Sequence, residues 1–179
     1  AICHVQICFK CFVLFIMNIG ITYAHSIDEI RKTFQLAIDN SNITEKLSSD
    51  LKKISKPDAL TQAYIASLEA LKAKHAWNPF TKHQYMKSFG DMMNSAVKRM
   101  PENMEIRYLR YNIEYNVPSY LGYSTNLEED RKFIVNSFLK KNFSTTNKKL
   151  ITEVYAFMVS SNSVTPEEKL KMEKVLRSL

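Results

Sequence analysis

Residues 101 to 134, PENMEIRYLRYNIEYNVPSYLGYSTNLEEDRKFI, set the strongest constraint on the fold because they spell helix, stop, loop and helix in one run. Asn103 is a competent N-cap, and a helix from there to Asn116, laid out at about 100° per residue, separates three faces. Ile106, Leu109 and Ile113 form an aliphatic stripe; Tyr108, Tyr111 and Tyr115 form an aromatic one. Arg107, Arg110 and Glu114 share the remaining arc, which is expected to be the only wet one. A helix apolar over most of its circumference needs neighbours on more than one side, so this one is expected at the centre of a helical assembly.

Val117-Pro118 stops that helix, since proline lacks an amide hydrogen and disfavours α geometry in the residue before it. Gly122 permits positive φ, so the short loop carrying Tyr120, Leu121 and Tyr123 is expected to fold back and bury its rings. Asn126 and Glu129 have capping-box spacing, which predicts the start of the next helix. Glu128, Glu129 and Asp130 in its first turn suit the positive end of the helix dipole and can also face Arg107 and Arg110.

The rest of the chain repeats this punctuation. Ser26 and Glu29 form a capping box ahead of Ile27, Ile30, Phe34 and Ile38 at helical spacing; Asn42 to Glu45 repeats the signal for a helix carrying Leu47, Leu51 and Ile54. Pro57 is expected at the first position of a third helix, with Leu60, Tyr64, Leu68 and Leu71 on one face and Ala63, Ala66, Ala70 and Ala73 on another. Asn78-Pro79 begins a fourth, whose methionine-rich arc (Met92, Met93 and Met100 with Tyr85, Phe89, Ala96 and Val97) reads as core rather than as an adaptable binding face. Leu150 to Met158 and Thr165-Pro166-Glu167-Glu168 onward predict a seventh and an eighth helix. No β-hairpin signal interrupts the series, so the chain is expected to be all-α, built of successive helical hairpins.

Residues 1–24 read as a signal peptide. Lys10 precedes the apolar run Cys11 to Met17, and Thr22-Tyr23-Ala24 offers small residues at the positions signal peptidase inspects, with cleavage expected after Ala24. Residues 25–179 are then the single folded domain. All three cysteines (Cys3, Cys8 and Cys11) fall in the leader, so the mature domain has no thiol chemistry, thiolate zinc or disulfide. Asn42-Ile43-Thr44 and Asn142-Phe143-Ser144 fit the glycosylation pattern, which matters only in a eukaryotic source. The formal net charge of +7 falls to +6 without the leader. That excess suits a soluble surface or residence near anionic envelope components, and export argues against a nucleic-acid partner.

The junction Ala96-Val97-Lys98-Arg99-Met100-Pro101-Glu102-Asn103-Met104-Glu105-Ile106-Arg107 resembles the passage from one tetratricopeptide-type (TPR) repeat to the next. Phe89, Met93, Ala96 and Pro101 stand at that pattern's packing and turn positions. The proline spacing elsewhere (Pro57, Pro79, Pro101) departs from the repeat period. The longer run from Lys72-Ala73-Lys74 through Asn78-Pro79-Phe80-Thr81-Lys82 to Leu121-Gly122-Tyr123 is similar to an uncharacterised family of exported bacterial all-helical proteins. The resemblances imply a TPR-like right-handed α-solenoid of about eight helices and a periplasmic or cell-envelope location, and they imply no activity.

With Gly90 and Gly122 as the only glycines after the leader, no phosphate loop or nucleophile elbow can form, and no HExxH helix is present. His75 and His83 flank a turn but lack the further ligands of a metal site. No catalytic residue, metal or cofactor is therefore assigned. Arg107, Arg110 and Glu114, with Glu128, Glu129 and Asp130, form the one charge cluster, which reads as an interhelical salt-bridge network, a carboxylate clamp or an enzyme site without a nucleophile. The expected function is a non-enzymatic interaction module, an adaptor or scaffold for a protein or envelope component. Its candidate binding residues are Arg107, Arg110, Tyr111, Glu114, Tyr120 and Tyr123, and a membrane is reached only through an uncleaved leader. The alternative is an envelope enzyme or small-anion binder using the Arg107, Arg110 and Glu114 cluster.

Overall fold

A computed structural model describes residues 26–143 and 146–179; the expected signal peptide, His25 and Ser144 of the second glycosylation triplet lie outside the described residues. Among the described residues the structure is all-helical, with eight α-helices and no strand: α1 (Ile27–Ala37), α2 (Ser41–Lys52), α3 (Ala59–His75), α4 (Pro79–Arg99), α5 (Met104–Asn116), α6 (Leu127–Leu139), α7 (Lys148–Ser160) and α8 (Pro166–Arg177). A single 3₁₀ turn, Ser119–Leu121, follows α5.

Local chemistry sets the boundaries. Ser26, Asn40, Asp58, Asn78, Asn103, Asn147 and Thr165 each accept a first-turn amide through the side chain, and the boxes at Ser26/Glu29 and Thr165/Glu168 close reciprocally. Two expected starts move. Asn40 rather than Asn42 caps α2, and Asp58 rather than Pro57 opens α3, since its carboxylate takes both the Thr61 amide at 2.8 Å and the Thr61 hydroxyl at 2.9 Å.

Successive helices run antiparallel. Lys74 Nζ donates to the Ile38 carbonyl at 2.9 Å, the Tyr123 hydroxyl meets His83 Nδ1 at 2.7 Å, and the Tyr115 hydroxyl donates to the Ser161 carbonyl at 3.0 Å. These bonds gather the α1–α2, α3–α4, α5–α6 and α7–α8 connections at one end, called here the upper end. At the lower end Arg99 donates to the Pro57 carbonyl at 3.0 Å and Asn147 to Asp28 Oδ1 at 3.0 Å.

Two apolar cores form, and α5 enters both. Ile106 and Leu109 join α1 to α4 in the first, while Met104 and Tyr111 join α6 to α8 in the second. This is the expected central helix. The most extensive helix pairing is α3 with α4, where Ala63, Ala66, Ala70 and Ala73 are all buried and let the axes approach closely. Of the expected arc, Phe89, Met93, Ala96 and Val97 are core and Tyr85 and Met92 pack against it partly buried, but Met100 at its end is exposed; Met86, outside that arc, is core as well. No helix of the described residues is long and apolar enough to cross a membrane.

The charged arc of α5 is not wet. Arg107, Arg110 and Glu114 are buried, and so is Glu105, whereas Tyr115 of the aromatic stripe is exposed. The correction has a plain cause: charge goes inside when neighbouring helices bring the opposite charge and enough hydrogen bonds.

Candidate functional site

Three consecutive turns of α5 place Arg107, Arg110 and Glu114 against the start of α6. Arg110 grips Asp130 with two parallel bonds, Nε to Oδ2 at 2.6 Å and Nη2 to Oδ1 at 2.7 Å, and its Nη1 reaches Asn94 Oδ1 of α4 at 3.2 Å. Arg107 adds a bond to Asp130 Oδ1 at 3.0 Å, pairs with Glu129, donates to the Pro101 carbonyl at 3.2 Å and lies over the Phe133 ring. The Asp130 carboxylate thus sits where an anionic ligand would sit between two guanidinium groups. Burial opposes the Arg110 charge, but the bond and charge of Asp130 outweigh it and hold the guanidinium above its usual range. The Arg107 bond holds the Glu129 carboxyl below the ordinary range.

Glu114 has a different task. Its carboxylate accepts from the Asn126 amide at 2.8 Å and from Asn126 Nδ2 at 2.7 Å. The expected capping box at Asn126 is therefore absent: its side chain turns toward Glu114 and makes no cap to α6, and Glu129 is taken by Arg107. Burial pushes the Glu114 carboxyl up, and the bonds from Asn126 and the charge of Arg110 pull it partly back. With Ser124 Oγ donating to the Glu114 carbonyl at 2.9 Å, this residue ties the 117–126 loop to α5.

The remaining expected site residues scatter. Arg110, Glu114 and Tyr123 line one cleft of about 130 Å³ with Asn94, Gly122 and Asn126. Tyr111 faces away from it, packed on Phe157 with its hydroxyl on Ser163 Oγ at 2.6 Å. Tyr120 was expected to be buried and is 85% exposed on the 3₁₀ turn, with Leu121 exposed beside it. Gly122 takes the expected left-handed conformation, φ 76°.

Sequence reasoning passed over a second ionic centre and an apolar surface. Glu105, wholly buried, accepts from Arg31 of α1 through both oxygens and from the Tyr64 hydroxyl of α3 at 2.7 Å. The signal was a carboxylate within about 40° of Leu109 on the aliphatic stripe of α5. Burial, with the Glu105 charge and bond, raises the Tyr64 hydroxyl far above its ordinary range. At the upper end, Trp77 is 97% and Phe80 is 68% exposed in the α3–α4 turn.

A larger cleft, about 210 Å³, lies among α1, α3, α5 and α7, with Phe34, Tyr64, Tyr108, Leu109 and Leu150 on its walls and Glu153 at its edge. Burial pushes the Tyr108 hydroxyl up to about 12. Among the described residues no group of three or more metal-ligating side chains comes together. His83 engages Tyr123, and the chemistry gathered on α5 is ion pairing between helices rather than an array of nucleophile and base. No family model matches the chain, and no curated protein or solved structure is similar to it.

Proposed function

We propose that this protein is an exported, non-enzymatic helical interaction module of the periplasm or cell envelope, an adaptor or scaffold whose binding surface is its upper end. The observation that carries this reading is the gathering of Trp77, Phe80, Tyr120 and Leu121, all exposed, on two neighbouring connections. The Tyr123–His83 bond joins those connections. Exposed aromatic residues clustered on a rigid support mark a partner surface, since a contiguous apolar patch is costly to leave in water. Arg107, Arg110 and Glu114 belong to the support beneath this surface, because Asp130 and Asn126 already occupy them. Export is supported by the leader-like residues 1–24 and by cysteines confined to them. A TPR-like right-handed solenoid is supported by α3 touching both α1 and α5 and by α6 touching α8.

A photo-crosslinking residue placed at Tyr120, and separately at Lys140 of the lower end, tests the reading in intact cells. A recurrent envelope species captured from position 120 and not from 140, and lost in Phe80→Ala with Leu121→Ala, is the expected result. Equal capture from both ends, or none from either, removes the basis for the assignment.

A further inference from the structure

We propose that the upper end docks on an anionic lipid bilayer, with Trp77, Phe80 and Tyr120 entering the headgroup region. This names the partner of the surface described above and rests on that surface being the one that binds. Three features of the tip favour lipid over a protein.

First, the aromatic side chains stand out from the molecule. Trp77, Phe80 and Tyr120 are each more than two-thirds exposed, so these rings project where a protein partner would need a matching recess. A bilayer interface needs none. Trp and Tyr are also the side chains that settle at membrane interfaces, apolar body inward and polar edge at the headgroups.

Second, the α3–α4 turn that carries Trp77 and Phe80 is locally basic. From Ala70 to Gly90 the chain carries Lys72, Lys74, Lys82 and Lys87 and no carboxylate, and from Tyr115 to Leu127 it carries no charged side chain at all. Lys72 is partnered by Glu45 and Glu69 and Lys74 by Asp39, which leaves Lys82 and Lys87, both exposed, as the local positive excess of the α3–α4 turn, with Asp91 one helical turn beyond Lys87. Phe80, His83 and Lys87 follow one another at helical spacing along α4, which places apolar and cationic groups on a single face. Lysines beside interfacial aromatic rings complement anionic headgroups.

Third, the tip is preorganised. Ala76 donates its amide to the Lys72 carbonyl at 2.9 Å, Asn78 Oδ1 takes the Phe80 amide at 2.8 Å, and Pro79 fixes the first position of α4. Leu121 donates to the Pro118 carbonyl at 3.0 Å and Gly122 to that of Ser119 at 3.1 Å. Both turns hold their rings outward before any partner arrives, which lowers the ordering cost of docking.

The chain contains a single tryptophan, so Trp77 is its own reporter. The experiment mixes the full chain with vesicles of phosphatidylcholine, or of phosphatidylcholine and phosphatidylglycerol, with and without brominated acyl chains. Expected with the anionic vesicles are a blue-shifted Trp77 emission, protection from an aqueous quencher and quenching by the bromine atoms. Phe80→Ala with Tyr120→Ala is expected to weaken partition on the order of tenfold or more, and Lys82→Glu roughly tenfold on anionic vesicles only. Unchanged helical circular dichroism and melting will show that the variants are folded. Vesicle binding with Trp77 still in water would assign attachment to residues 1–25 and overturn the proposal. Trp77 left in water by every vesicle, while position 120 captures a protein in cells, would overturn the lipid partner and leave the interaction surface standing. No response of Trp77 together with no capture at position 120 would remove both.

Discussion

Two glycines respond oppositely to the same methyl group. A Cβ built at Gly90, within α4, meets no atom within 4 Å, so Gly90→Ala is expected to stabilise by about 0.5–1 kcal/mol through the unfolded chain's lost freedom. Gly122 sits at φ 76°, where an L side chain crowds its own backbone, so Gly122→Ala is expected to cost about 1–2 kcal/mol. Thermal unfolding of the two variants beside the parent checks both signs. The need at Gly122 was legible in the sequence, because a glycine between apolar loop residues calls for such a turn. The fate of Asn126 was not, because its partner, Glu114, lies on the preceding helix and capping rules look only forward. Tyr120 was misjudged for a related reason: an aromatic ring in a short loop looks like core until the neighbouring connection, which reaches Tyr123 alone, is seen.

Among the helices, α5 shows both how far periodicity carries and where it stops. Its apolar stripes correctly demanded neighbours on two sides. Its charged arc was assigned to water by the same reasoning, although Glu129 and Asp130 stood in the sequence as available partners for Arg107 and Arg110. A wheel describes one helix, and burial of charge depends on what a second helix brings. Asp130→Ala leaves two buried guanidinium groups poorly compensated and is expected to cost about 3–5 kcal/mol in urea denaturation. Replacing the set together, Arg107→Met and Arg110→Met with Asp130→Leu, is expected to recover most of that loss, while Glu129 remains solvated at the surface. For the same reason Arg107→Ala with Arg110→Ala would report on folding and not on a binding surface.

For the whole molecule, the buried Tyr64 and the half-buried Tyr108 set an alkaline limit. Their hydroxyls ionise later in the folded chain than in the unfolded one, Tyr108 at about 12 and Tyr64 beyond that. A folded-state pKa raised above the unfolded value contributes stability that is complete below the unfolded value, near pH 10, and is lost as pH rises through the folded one. Stability is thus expected to fall from about pH 10 upward, on the order of 2 kcal/mol by pH 12 from Tyr108 alone. Denaturant titrations over that range check the slope, and Tyr108→Phe should flatten it. A steeper fall in Tyr108→Phe than in the parent would contradict the account.

The bond between Arg31 and Glu105 also has a bearing on time. The two residues are 74 positions apart, and Tyr64 precedes the same carboxylate by 41. A ribosome delivers the amino end first, so the cation and the phenol emerge well before the acceptor that will bury them. The bond that ties α1 and α3 to α5 therefore cannot close until residue 105 has appeared, whatever the first four helices have packed by then.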